Sequence, residues 1–208
     1  MAIGNYDELN SLQIDALREV GSIGSGNAAT SLSSVINKRI ELCVPEVRIL
    51  ENNAMIKKLG GAEKIIAGIL VKVSGEIDGM ILYMQSIDFI NVVLESVLSR
   101  TIQNYDELTE METSALIEIG NIMISSYINA IADMAGLQIK LSPPAISINM
   151  LGAVLSVPMV EYGHETDKTM LIDGNIICDC KVINGNLIMF PSVKSLDKIL
   201  RKLGVSCG

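Results

Sequence analysis

The chain has 208 residues, 49% of them apolar, and a formal net charge of −8. That supplies a sizeable core but the wrong sign of charge for gripping a nucleic-acid backbone or an anionic membrane surface, so a partner presenting lysines suits it better. Aromatic residues make up only 3%, with no Trp, so the core must be built from Ile, Leu, Val, Met and Ala.

The opening MAIGNYDELN has neither a basic n-region nor an apolar h-region, so no secretory signal is expected. Asn10, with Gln13 three residues on, is a helix start: the first side chain accepts from a free backbone N–H while the second reaches back. This helix should run to about Asn37, which tolerates the left-handed conformation beyond a helix end. The β-like runs RIELCV, EVRIL, AEKIIAGILVKVSG and DGMILYMQ follow, the last two joined by SGEIDG as a hairpin connection. Ser86 caps a second helix, IDFINVVLESVLSR, with Phe89, Ile90, Val93, Leu94 and Val97 on one face. The pattern then restarts. Thr109 and Glu112 open a long helix to about Gly136, with β-like runs QIKL, AISINM, GAVLSVPMVEY, NIICDCKVI and NLIMF after it. Asn184-Gly185 is the strongest two-residue hairpin signal, and Ser192 or Ser195 starts the short helix LDKILRKLG. No run reaches the roughly 18 apolar residues of a spanning helix. The charge-free stretch from Val20 to Asn37 comes nearest in length, but Ser, Gly, Asn and Thr interrupt it, so no membrane insertion is expected.

The restart is a duplication. NYDEL occurs at Asn5–Leu9 and again at Asn104–Leu108, an offset of 99 residues. At that offset Ala16 and Ala115, Leu17 and Leu116, Glu19 and Glu118, Gly21 and Gly120, Ile40 and Ile139, and Pro45 and Pro144 are identical pairs. Two copies, about 5–103 and 104–208, make one domain over 1–208. The expected fold is α/β (α+β): an internally duplicated helix–strands–helix unit about a pseudo-twofold axis, its long helices packed on one continuous, mainly antiparallel sheet. Two copies in one chain already supply the symmetry of a dimer, so a monomer is expected.

Within the first long helix, EVGSIGSGNAATSLSSVINK holds three glycines in six residues. A phosphate cradle needs free amides ahead of a helix, and usually a GKS or GKT after the glycines. Here the glycines sit inside the helix, that tripeptide is missing, and Gly24 and Gly26 face Met123 and Ser125 in the second copy. They read as small residues permitting close helix contact. What recurs instead is polar: Asp15, Glu19 and Ser22 return as Ser114, Glu118 and Asn121. Spacings of four and three put each trio on one helical stripe, opposite Leu17, Val20 and Gly24 or Leu116, Ile119 and Met123. A polar helix stripe is ordinarily just solvated, so position alone assigns no chemistry.

At these residues the sequence resembles the CheC/CheX/FliY family of chemotaxis phosphatases. That family's signature is Asp or Ser, three residues, Glu, two residues, Asn, then twenty-two residues and Pro. Ser114, Glu118, Asn121 and Pro144 match it fully, while Asp15, Glu19 and Pro45 match it in the first copy with Ser22 in place of Asn. CheX-like members carry one motif per chain, so CheC-type members are the nearer match. The resemblance implies a cytoplasmic protein that dephosphorylates the aspartyl-phosphate of the response regulator CheY. It implies that Glu118 pairs with a regulator lysine and that Asn121 positions the attacking water, with magnesium held by the regulator and no metal or cofactor of its own. It also implies the receptor deamidase CheD as a partner. A hydroxyl at Ser22 is about two heavy atoms shorter than a carboxamide, so Glu19 and Ser22 are expected to form a weak first site. Asn27, five residues beyond Ser22, points about 140° away and does not replace the missing amide.

The remaining chemistry-bearing residues read as structural. Cys178 and Cys180 alternate on a strand without a second ligand pair, and four cysteines in a chain this long suit reduced thiols. His164, the only histidine, stands in a polar EYGHETD loop, and the 11 methionines are scattered through apolar runs as core filler. Two further readings stay beside the phosphatase: a non-enzymatic adaptor like the flagellar switch proteins, and a regulatory partner of CheD.

Overall fold

The computed structural model describes residues 6–43, 45–163, 166–178 and 181–205. After a one-turn 3₁₀ helix, Tyr6–Glu8, the first copy forms α1 (Ser11–Ile36), β1 (Ile40–Leu42), β2 (Glu46–Glu51), α2 (Asn52–Lys58), β3 (Ile65–Gly75), β4 (Gly79–Gln85) and α3 (Ile87–Leu98). The second repeats the order after Tyr105–Glu107: α4 (Glu110–Ala135), β5 (Ile139–Leu141), β6 (Ala145–Met150), α5 (Leu151–Tyr162), β7 (Lys168–Cys178), β8 (Lys181–Pro191) and α6 (Val193–Lys202). The offset of 99 thus holds from the first helix to the end of β2 and β6.

The caps expected from the sequence form. Asn10 and Gln13 exchange backbone hydrogen bonds of 3.0 Å each at the start of α1. Thr109 and Glu112 make the same box at α4. Asn37 and Gly136 both end their helices in the left-handed conformation. At α6 it is Ser192 that caps, while the Ser195 hydroxyl accepts from Asp78 N at 2.8 Å and donates to its carboxylate at 3.1 Å. That pins the β3–β4 connection, Glu76 to Asp78, to the helix.

All strands pair antiparallel in one sheet of order β1-β7-β8-β4-β3-β5, with β2 also on β7 and β6 also on β3. The axis of the duplication runs between β4 and β8, which pair from Gly79 opposite Pro191 to Gln85 opposite Gly185. The outer strands are exchanged: β1 and β2 lie against the second copy's β7, and β5 and β6 against the first copy's β3. Residues alternate between two cores, as strand geometry requires. Ile81, Tyr83, Ile172, Leu187 and Met189 join the core under α1, α3, α4 and α6. Met80, Leu82, Met84, Leu171, Ile188 and Phe190 join a second core under α2 and α5. With both faces covered, β4 is buried at every position, which is why GMILYMQ reads as a continuous apolar run.

Four details differ from the sequence reading. GAVLSVPMVEY is a helix: Leu151, Val154, Leu155, Pro158 and Tyr162 are buried at helical spacing, and α2 is its shorter counterpart. Asn184-Gly185 lies within β8, not at its turn, because Gly185 faces Gly174 so closely that a Cβ would stand 3.2 Å from Gly174 O. Val97, in the last turn of α3, is exposed. By length and composition α4 is apolar enough to cross a membrane, yet half of its most apolar stretch is buried inside the protein. Cys178 is buried at the end of β7; His164, Glu165, Cys180 and Cys207 lie outside the described residues.

The glycines of α1 divide by contact. A Cβ at Gly24 would stand 2.6 Å from the ring of Tyr127 on α4, and one at Gly21 would stand 2.9 Å from Val47 of β2. Gly26 has nothing within 4 Å. Close packing accounts for the first two, as the sequence suggested, but not for the third. Gly24→Ala should therefore destabilise by about 1–3 kcal/mol through overpacking. Gly26→Ala should stabilise by about 0.5–1 kcal/mol through helix propensity alone; thermal melts of the two variants check the opposite signs. The strand exchange makes a second prediction. Residues 1–103 and 104–208 made separately should each lack a cooperative melt, and mixing them should restore one.

Candidate functional site

The two polar stripes lie on the outward faces of α1 and α4, whose inward faces are closed by Leu17, Val20, Leu116, Ile119 and Met123. Glu19 and Glu118 are exposed, while Ser22 and Asn121, one turn on, are half-buried. Among the described residues neither Glu19 nor Glu118 has a hydrogen-bond or ion-pair partner. An exposed carboxylate with no local cation is available to a cation from elsewhere. Pro45 and Pro144 stand directly before β2 and β6, the strands that pack on α1 and α4.

The first motif position differs between the copies. Asp15 pairs with Arg18 at 2.7 Å, an exposed contact of little energetic weight. Ser114, also exposed, donates back along its own helix to Glu110 O at 2.9 Å. Around Asn121 the structure adds a neighbour given no role by the sequence: Ser125 donates to Asn121 Oδ1 across a loose 3.4 Å. The signal was the spacing of four between two polar residues. Its counterpart in the first copy is Gly26, below Ser22, so the first stripe lacks both the amide and the hydroxyl that steadies it.

The helix beneath the second stripe is fixed at its start. Glu112, almost fully buried, accepts from Thr109 N at 2.8 Å, from the Thr109 hydroxyl at 2.9 Å and from the Arg100 guanidinium at 2.6 Å. The Thr109 backbone bond, above all, holds this carboxyl below its ordinary range. At α1 the equivalent side chain is neutral, because Gln13 must donate to Val205 O, at 3.1 Å. Arg100 lies in the α3–α4 connection, so a search for partners within the helix misses it.

Comparisons with known proteins bear on the same segments. The CheC-like family model matches twice, at residues 12–49 and 111–148, each match spanning a polar stripe and its proline. Each copy of the chain thus carries one CheC-like segment. It is 28% identical over 205 residues to a Bacillus subtilis protein named CheY-P phosphatase CheC, covering 97% of this chain and 98% of that one. Among solved structures it resembles Thermotoga maritima FliY with a TM-score of 0.72 at 20% identity, covering 95% and 98% of the two chains. It also resembles the middle domain of H. pylori FliM, with a TM-score of 0.65 at 14% identity, covering 93% and 99% of the two chains. At those identities the structural likeness is one of fold. The same fold therefore recurs in proteins of different names.

The depressed Glu112 carboxyl sets a pH dependence. A group whose folded-state pKa is lowered contributes stability above its unfolded pKa and loses it as pH falls through the folded value. Glu112→Gln should lower the melting temperature at neutral pH. The gap from the parent should close as pH drops through and below the ordinary carboxylate range, read from melts of both proteins across acid pH.

Proposed function

We propose that this chain is a cytoplasmic phosphatase that hydrolyses the aspartyl-phosphate of a CheY-type response regulator, with the α4 stripe as its main site. The observation that carries this reading is the intact set Ser114, Glu118, Asn121 and Pro144, with Glu118 exposed and unpaired among the described residues, one turn before the half-buried Asn121. Such a convex site suits a protein substrate that brings its own acidic pocket. The name of the Bacillus subtilis relative supports CheY-P as that substrate.

Phosphoryl transfer asks for positioning and charge stabilisation more than for a covalent nucleophile. In this reading Glu118 pairs with a lysine of the regulator and seats α4 over the phosphoryl group. The Asn121 amide oxygen accepts a hydrogen bond from a water and orients that water's oxygen in line with the P–O bond. That oxygen bonds to phosphorus, the aspartyl carboxylate leaves, and the water's proton passes to the phosphate released. Magnesium and the phosphoryl group belong to the regulator. Ser22 is too short to reach the same water position, so the α1 stripe turns over little, although Glu19 still offers a docking carboxylate. CheD is a further proposed partner, and the chain acts as a monomer because both stripes are already present in it.

The test is the decay of phosphorylated CheY with the parent, Asn121→Ala, Glu118→Ala/Asn121→Ala and Ser22→Asn. The parent should accelerate decay, and Asn121→Ala should reduce the acceleration by on the order of 10²-fold, as loss of one positioning group does. The double variant should leave only residual activity, and Ser22→Asn should add turnover at the first stripe. A parent without effect on decay would instead make the stripes docking surfaces of an adaptor.

A further inference from the structure

A cavity of about 560 Å³ opens where β4 gives way to α3, and no stripe residue lines it. Its wall is formed by both copies: Lys58 and Lys64 come from the end of α2 and the loop after it, Gln85 from β4, and Asn175, Asn184 and Asn186 from β7 and β8. The pairing brings these together. Met84 lies opposite Asn186, which lies opposite Asp173, and Asn175 lies opposite Asn184. Two residues along the same strands and the same face, Leu82, Ile188 and Leu171 are fully buried in the apolar core under α2 and α5. The face thus changes from apolar to amide-rich within one pleat.

The fold leaves three of those amide oxygens unsatisfied. Gln85 Oε1, Asn175 Oδ1 and Asn186 Oδ1 are buried without a hydrogen-bond partner, three of the four such side-chain atoms among the described residues, while the Gln85 amide nitrogen, on the other face of β4, donates to Leu116 O at 3.1 Å. Gln85 itself is only 1% exposed. Buried polar groups are almost always paired in folded proteins, so three orphans around one cavity are not what a structural role requires. The charge is also uneven. Lys58 is matched by Asp173 at 3.0 Å, whereas Lys64 donates only to Leu59 O, at 3.0 Å, and has no carboxylate partner among the described residues. The wall therefore carries one positive charge in excess, on a chain whose net charge is −8. The volume lies within the roughly 300–1,000 Å³ typical of small-molecule sites and far above that of a single ion.

We infer that this cavity binds a small molecule that joins an oxyanion, carboxylate or phosphate, to a polar hydrogen-bonding body. The oxyanion sits at Lys64. The body is read by the side-chain amides, each of which offers both a donor and an acceptor. This site is independent of the phosphatase reading and stands or falls without it.

Calorimetric titration of the full chain with AMP, glutamate and adenosine tests it. AMP or glutamate should bind at millimolar concentration or below, the one that binds telling a phosphate from a carboxylate, and adenosine, which has no oxyanion, should not. Lys64→Gln should weaken that binding at least about tenfold, equivalent to roughly 1.4 kcal/mol. Asn184→Ala, on an exposed side chain, should also weaken it while leaving the circular dichroism spectrum unchanged. Failure of both AMP and glutamate to bind would overturn the inference, as would binding equally tight in both variants.

Discussion

Everything in this molecule depends on the exchange of outer strands between the two copies. β1 and β2 find their hydrogen-bond partners on the second copy's β7, and β5 and β6 find theirs on the first copy's β3. An unpaired strand edge leaves a row of backbone groups without partners and invites aggregation. Neither copy can close its own sheet without the other. The exchange also fixes where α1 and α4 lie, since each packs against the exchanged strands that follow it in sequence. The polar stripes are consequently held by the sheet of both copies, not by the helix of one.

The helix pair above the sheet is close because one partner is thin. Tyr127 reaches from α4 onto Gly21 and Gly24 of α1, and Ser31 meets Ser126 at 3.0 Å. At the equivalent positions α4 carries Met123 where α1 carries Gly24, and α1 carries Ala28 where α4 carries Tyr127. Ala28, Met123 and Tyr127 line one small cavity between the helices and the sheet, and Gly24 lies against the Tyr127 ring. The large residues come from one helix and the small ones from the other. Since these positions face inward, the outward positions are left for polar residues, and Glu118 and Asn121 occupy them.

Much of this was legible in the sequence because local rules decide it. Capping pairs, left-handed helix ends and the repeated NYDEL set both long helices to their final residues. Helical spacing alone placed Glu118 and Asn121 on one outward stripe. The misreadings share a physical cause. GAVLSVPMVEY is rich in Val and contains Pro158, so its composition outweighed its helical period; Asn184-Gly185 has turn chemistry, but the glycine serves a close backbone approach instead. Arg100 beside Glu112 and the amides around the cavity were out of reach for another reason. They meet only through tertiary pairing, and no local pattern announces a contact between separate elements.

The internal twofold has a consequence for how such a protein can change. In a homodimer every substitution enters both subunits at once, so a residue that suits one site must suit its twin. Here the twins are separate stretches of one chain, and each substitution enters only once. That freedom is visible where Gln13 meets a carbonyl and Glu112 meets a guanidinium, each fitted to its own neighbour. It is visible again where Ser22 stands opposite Asn121 in the repeat. Covalent linkage has turned a symmetric pair into two sites that can be specialised one at a time.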